Sequence, residues 1–292
     1  MSTRTDFRTL GAPAVTIVLW GSAFAGIRAG LEAYRPGQLA LLRFLVASTS
    51  LGLYAALTRM KPPALRDVPG ILLLGLLGVT IYHLALNYGE LTVSAGAASL
   101  LVASSPIFTA LLATAFLGER LRVWGWIGIG LSFVGVALVA MGEGGGFQFS
   151  PSALLILLSA VSSSIYFVVQ KPFFRRYNPL QLTTYTIWAG TLLMLPFLPG
   201  LVRALPSAPL GPTMAVAYLG VFPAALAYVT WSYALSRSPA SLVAPFLYLI
   251  PVFAIFTAWI WLGETPLAVS LVGGALCLAG VVLVNTRGRA AR

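Results

Sequence analysis

Apolar runs of about twenty residues, each closed by a short polar break, follow one another along the whole chain. The pattern predicts helices at roughly 10–29, 37–58, 68–88, 92–117, 123–141, 151–169, 180–199, 212–236, 239–262 and 266–285. The breaks carry turn residues: Arg35-Pro36-Gly37, Lys61-Pro62-Pro63, Gly118-Glu119-Arg120, Gly142 to Gly146, Tyr177-Asn178-Pro179, Pro206 to Pro212 and Gly263-Glu264. None of these breaks is long enough to hold a soluble domain. The expected fold is therefore an all-α polytopic membrane protein with ten transmembrane helices.

Composition agrees. Of 292 residues, 59% are apolar and 9% charged, and the mean hydropathy is +0.91. A soluble domain carries about 25% charged residues, so a soluble enzyme, a secreted domain and a disordered chain are excluded. The net charge of +11 would suggest nucleic acid in a soluble protein. Here the basic residues sit in the breaks, and topology explains them better, so no nucleic-acid partner is expected. With the N-terminus inside, fourteen of the eighteen Lys and Arg fall in inner segments. Three (Arg28, Arg35 and Arg203) fall outside, and Arg43 lies within a helix. That asymmetry predicts both termini in the cytoplasm, in a multi-pass protein of the cell (inner) membrane. Cys277 is the single cysteine and His83 the single histidine. An internal disulfide and a Cys- or His-rich metal site are thereby excluded, and no metal or cofactor is expected.

The chain repeats itself. Pro106-Ile107-Phe108 and Leu117-Gly118-Glu119 recur 145 positions later as Pro251-Val252-Phe253 and Leu262-Gly263-Glu264. The same offset relates Gly128 to Gly273, Gly135 to Gly280 and Tyr88 to Tyr233. At an offset of 143, Pro36 to Leu39 resembles Pro179 to Leu182. Two halves follow, 1–145 and 146–292, each of five helices. Five is odd, so the second half enters the membrane from the opposite side. An inverted repeat of this kind builds transporters with a substrate site near the midplane.

Two five-helix halves, each with Pro … Gly-Glu in its fourth helix and a Gly-spaced fifth helix, resemble the ten-helix EamA-type exporters. These belong to the drug/metabolite transporter superfamily. Trp20-Gly21-Ser22 and Leu42-Arg43-Phe44 also match that pattern. Within the family the chain is most similar to the YddG-type exporters of aromatic amino acids and related metabolites. The resemblance implies a secondary transporter of small metabolites working by alternating access, as a monomer or a homodimer in the bilayer. It implies no enzymatic activity and no catalytic residues.

Polar groups within hydrocarbon usually face a cavity or another helix. In the third helix His83 and Asn87 share a face, with Tyr82 beside them. The 145 offset maps His83 onto Tyr228, Leu86 onto Trp231 and Asn87 onto Ser232. Two equivalent helices thus present polar and aromatic groups at matching positions, either lining a pocket or bonding between helices. Trp20, Tyr166 and Tyr248 complete the expected substrate-binding set. Pro106 and Pro251 are read as gating kinks or as static bends. Arg43 reads as a partner of Glu90 or as a receptor for a substrate carboxylate. Glu119 and Glu264 read as turn residues.

The 16 Phe, 11 Tyr and 7 Trp favour a neutral or zwitterionic substrate with an aromatic or apolar side chain. No acid lies within a predicted helix core, which argues against cationic drugs. Facilitated diffusion is the expected energetics, with proton antiport through His83 the alternative. An intramembrane lipid-handling enzyme is a weaker reading, because no acid pair or Ser/His/Asp set is present, and a lipid scramblase or channel is a third.

Overall fold

The computed structural model describes residues 7–116, 121–142, 150–237 and 244–287. Among these residues the chain is helical throughout, and no strand forms. Helix α1 is Phe7–Leu31 and α2 is Pro36–Leu57. Helix α3 is Leu65–Gly89. Helix α4 comes in two pieces, Ala95–Val102 and Ser105–Phe116. Helices α5 and α6 are Val123–Gly142 and Pro151–Val169. Helix α7 runs Pro179–Leu193 and continues, bent by 45°, as Leu195–Ser207. Helix α8 is Leu210–Val221 followed by Phe222–Leu226 and Ala227–Arg237. Helix α9 is Phe246–Leu262, and α10 is Ala268–Thr286. Eight of these are long and apolar enough to cross a membrane, and the bent α7 makes nine. Helix α9 is apolar but shorter. Its expected start at 239, the Gly-Glu at 118–119 and the glycine run at 143–146 lie outside the described residues.

The seventh helix, expected to stop at 199, stays helical to Ser207, one residue into the expected break from Pro206 to Pro212. Pro196, Pro199 and Pro206 each stand in the first turn of a short helix, where proline's missing N–H costs nothing. They therefore bend α7 rather than end it.

The two halves interlock. Helix α1 packs on α8 and α9, and α6 packs on α3 and α4. Helix α2 lies along α8 and α7 along α3. Glycines set these approaches. A Cβ at Gly75 would stand 2.6 Å from the amide of Gly190 in α7, and one at the equivalent Gly220 would stand 2.6 Å from the carbonyl of Arg43 in α2.

Helices α5 and α10 meet reciprocally. A Cβ at Gly273 would lie 2.6 Å from the Gly135 carbonyl, and one at Gly128 would lie 2.7 Å from the Gly280 carbonyl. Ser132 Oγ donates to the Cys277 carbonyl at 2.9 Å, and these two residues are themselves 145 apart. The contact between these two glycine-spaced helices thus forms within one chain.

Irregular backbone also falls at matched places. The middle of α3 (Leu76–Ile81) and the middle of α8 (Phe222–Leu226) both widen to a π turn. The first starts 146 positions before the second and ends 145 before it. Helix α4 restarts at Ser105, and α9 passes from a 3₁₀ turn (Ala244–Leu249) to α-helix at Ile250, again 145 apart. Pro106 and Pro251 are the second residues of those restarts. Both prolines sit where no N–H is required, so the break lies just before each of them. π turns release backbone carbonyls and gather at functional sites.

Candidate functional site

The released carbonyls are used in the same way in both halves. Trp20 Nε1, on α1, donates to the Pro223 carbonyl in the π turn of α8 at 3.1 Å. Ser162 Oγ, on α6, donates to the Leu77 carbonyl in the π turn of α3 at 2.8 Å. Each π turn thus fixes a side chain from the other half and then hands over to the predicted site residues, Tyr82-His83 in α3 and Tyr228 in α8.

An aromatic wall follows. The Trp20 ring lies 5.3 Å from Tyr228, edge-on, and 5.5 Å from Trp231. All three rings are half-buried. Tyr82 meets His83 edge-on at 4.6 Å. Tyr166 packs over Gly78, where a Cβ would stand 2.7 Å from its ring. The hydroxyls of Tyr82 and Tyr166 both lie within electrostatic range of Tyr228, and Arg43 is within range of Tyr82 and Tyr228. The structure therefore brings Trp20, Tyr82, His83, Tyr166, Tyr228 and Trp231 around one centre. Tyr248 faces α10, where its hydroxyl accepts from Asn285 Nδ2 at 2.9 Å.

Beside the wall runs a polar stripe. His83, Asn87 and Glu90 follow a 4+3 spacing on α3, and all three are buried. His83 Nδ1 is 3.4 Å from an Arg43 terminal nitrogen, and Phe44 flanks both, with its ring 4.6 Å from the imidazole and 5.4 Å from the guanidinium carbon. Asn87 Nδ2 donates to the Pro36 carbonyl at 3.1 Å. Both carboxylate oxygens of Glu90, together with Asn87 Oδ1 and Arg43 Nε, have no hydrogen-bond partner.

Arg43 and Glu90, expected as a pair, stand within electrostatic range but form no direct ion pair. Arg43 stands seven residues in from the start of α2, and His83 stands seven residues back from Glu90 on the antiparallel α3. Seven residues are about 10 Å of helix rise. Arg43 is thus level with His83, and Glu90 is level with Pro36.

Glu264 is held at a turn, as expected. Gly263 closes α9 in the left-handed region at φ 68°. Glu264 then pairs with Arg28 at 2.8 Å and accepts from the Ala95 amide at 3.1 Å. Arg28 also donates to the Glu90 carbonyl at 2.7 Å. At the other end of α3, Asp67 pairs with Arg176 at 2.6 Å and accepts from the Tyr177 hydroxyl at 2.7 Å. The Tyr185 hydroxyl donates to the Lys61 carbonyl. Both networks are hidden from the sequence, because they join residues 62 to 236 positions apart.

An open groove of about 330 Å³ runs beside α9, lined by Val252, Phe256, Trp259 and Leu271 among others. These side chains are exposed and none is ionisable, so the groove belongs to the face that meets lipid. Among the described residues no three His, Cys, Asp or Glu are placed to hold a metal.

The EamA-like transporter family matches residues 12–141 and again 150–286. The chain belongs to that family. As an EamA-like protein it is a multi-pass membrane transporter and not an enzyme. It is 47% identical over 266 residues to a Bacillus subtilis (strain 168) protein named as the uncharacterized transporter YdfC, covering 91% of this chain and 87% of the relative. It is 41% identical over 281 residues to a Streptantibioticus cattleyicolor protein named "probable terminal-alkyne amino-acid exporter", covering 96% and 94%. A solved crystal structure with 23% identity superposes with a TM-score of 0.62 over 95% of this chain and 96% of its own. That likeness concerns the fold.

Proposed function

We propose that this EamA-like transporter exports amino acids with aromatic or apolar side chains, binding them between its two halves, 1–145 and 146–292. The observation that carries the reading is the ring cluster of Trp20, Tyr228 and Trp231 beside Arg43, built where the π turns of α3 and α8 meet side chains from the opposite half. Aromatic walls favour flat apolar groups, and the Streptantibioticus relative is named as an amino-acid exporter. The halves alternate access as inverted repeats, with both termini cytoplasmic. The helix restarts at Ser105-Pro106 and Ile250-Pro251 serve as the hinges, since a break without a continuous hydrogen-bond ladder bends most easily.

The energetics are those of facilitated diffusion. His83 is engaged by Arg43 and Phe44, which supports a structural duty for the imidazole rather than a proton relay. Efflux of radiolabelled phenylalanine and leucine from loaded proteoliposomes, with no pH or sodium gradient, tests the reading. Loss of label faster than from protein-free vesicles is expected. Failure with every aromatic and apolar amino acid would overturn it.

A further inference from the structure

The polar stripe is one place where the pseudo-symmetry is broken. The first half carries Arg43, His83, Asn87 and Glu90. The corresponding residues of the second half, at offsets of 143 for the first and 145 for the rest, are Thr186, Tyr228, Ser232 and Leu235. All the ionisable groups of the stripe therefore stand on one side of the aromatic centre. Most of the unsatisfied buried side-chain atoms among the described residues lie in this stripe, and Thr186 Oγ1 is the one on the other side. Three acceptor atoms, Glu90 Oε1, Glu90 Oε2 and Asn87 Oδ1, lack donors, and Arg43 Nε lacks an acceptor. A buried carboxylate without a donor is costly and calls for a counter-charge. Both neighbouring guanidiniums stand within electrostatic range, but neither forms a hydrogen bond to the carboxylate. Arg28 is bound to Glu264 and to the Glu90 carbonyl, and Arg43 reaches His83. Among the described residues Glu90 forms no ion pair.

An α-amino acid zwitterion offers the missing complement. Its ammonium has three N–H donors for the three unpaired acceptors. Its carboxylate accepts from the Arg43 fork, which is suited to planar oxyanions. Asn87 lies between Glu90 and the level of Arg43, and the Arg43 and Glu90 side chains reach to within electrostatic range of each other, a gap that one zwitterion can bridge. Arg43 is in turn within electrostatic range of Tyr82 and Tyr228, so a side chain leaving the same α-carbon enters the aromatic wall. Resting on the amino-acid reading above, we propose that Glu90 and Asn87 receive the substrate ammonium and that Arg43 receives its carboxylate. The polar stripe of the first half reads the backbone of the amino acid, and the aromatic wall, to which both halves contribute, reads its side chain.

The test is competition in proteoliposomes taking up radiolabelled phenylalanine. 3-Phenylpropionate lacks the ammonium and phenethylamine lacks the carboxylate. Both should compete at least 10-fold more weakly than unlabelled phenylalanine. In Glu90→Gln the KM for phenylalanine should rise about 10-fold, while that for 3-phenylpropionate stays unchanged, so the preference for the zwitterion collapses. Arg43→Lys should weaken phenylalanine and leave phenethylamine unchanged. A merely structural role for Glu90 would move both ligands together, and that result overturns the proposal. So does equal competition by the analogues in the unaltered protein, with phenylalanine transport still intact. If no amino acid is transported at all, the function proposed above falls and this inference falls with it.

Discussion

Adding one methyl group to Gly273 should drive α5 and α10 apart. A Cβ there would stand 2.6 Å from the Gly135 carbonyl oxygen, with the Val139 amide 2.9 Å away. Carbon and oxygen normally approach to about 3.3–3.6 Å, so the helices must separate by about 0.7–1 Å. The obstacle is backbone, which cannot rotate aside. A gap of that size forfeits about a quarter to a half of the dispersion energy across the contact. Overpacking of this kind costs about 1–3 kcal/mol. At about 2–4 °C per kcal/mol, Gly273→Ala should lower the unfolding midpoint by roughly 2–12 °C. Cys277 is buried at the same contact, and it is the only cysteine. A thiol-reactive fluorophore added during heating in detergent therefore reports the separation of these two helices directly. Gly130→Ala is the control, since a Cβ there meets nothing within 4 Å. Alanine is the better helix former by about 1 kcal/mol, so that variant should match or exceed the unaltered protein. Equal midpoints for Gly273→Ala and Gly130→Ala would refute the close α5–α10 crossing.

Two further outcomes are expected. In a Cys277→Ala background, cysteines placed at Arg35 and at Lys61 should label from opposite faces of oriented membranes, and labelling from the same face would refute the topology. Burial, with the Asp67 carboxylate as acceptor, holds the Tyr177 phenol above its ordinary value. A group raised in the folded state stabilises fully below its unfolded pKa of about 10 and loses that contribution as pH rises through the folded value. Tyr177→Phe should thus cost about 1 kcal/mol near pH 8 and progressively less above pH of about 10, read as the difference in unfolding midpoint between variant and parent.

Periodicity was enough to locate most of the helices, because each apolar run ends in Pro, Gly or charge. It was also enough to find the 145-residue offset that later proved to relate the π turns, the helix restarts and the Ser132–Cys277 contact. The π turns themselves left little trace in the sequence. Pro223 sits within one and Gly78 within the other, but either residue is compatible with an ordinary helix in a membrane. The burial of Glu90 is not legible in the sequence, because the cover over this helix end comes from Arg28 and the α2 start, and the side chain is fully buried. Its pairing with Arg43 failed because sequence does not fix the axial register of α2 against α3. Once Asn87 is seen to bind the Pro36 carbonyl, that register places Arg43 beside His83.

Counterflow in proteoliposomes tests the central claim most directly. Vesicles loaded with unlabelled phenylalanine are diluted into trace labelled phenylalanine without any ion gradient. The account predicts transient accumulation of label inside, abolished in both Tyr228→Ala and Trp231→Ala. Absence of exchange in the unaltered protein would contradict it. So would accumulation that requires an imposed proton gradient and disappears in His83→Ala.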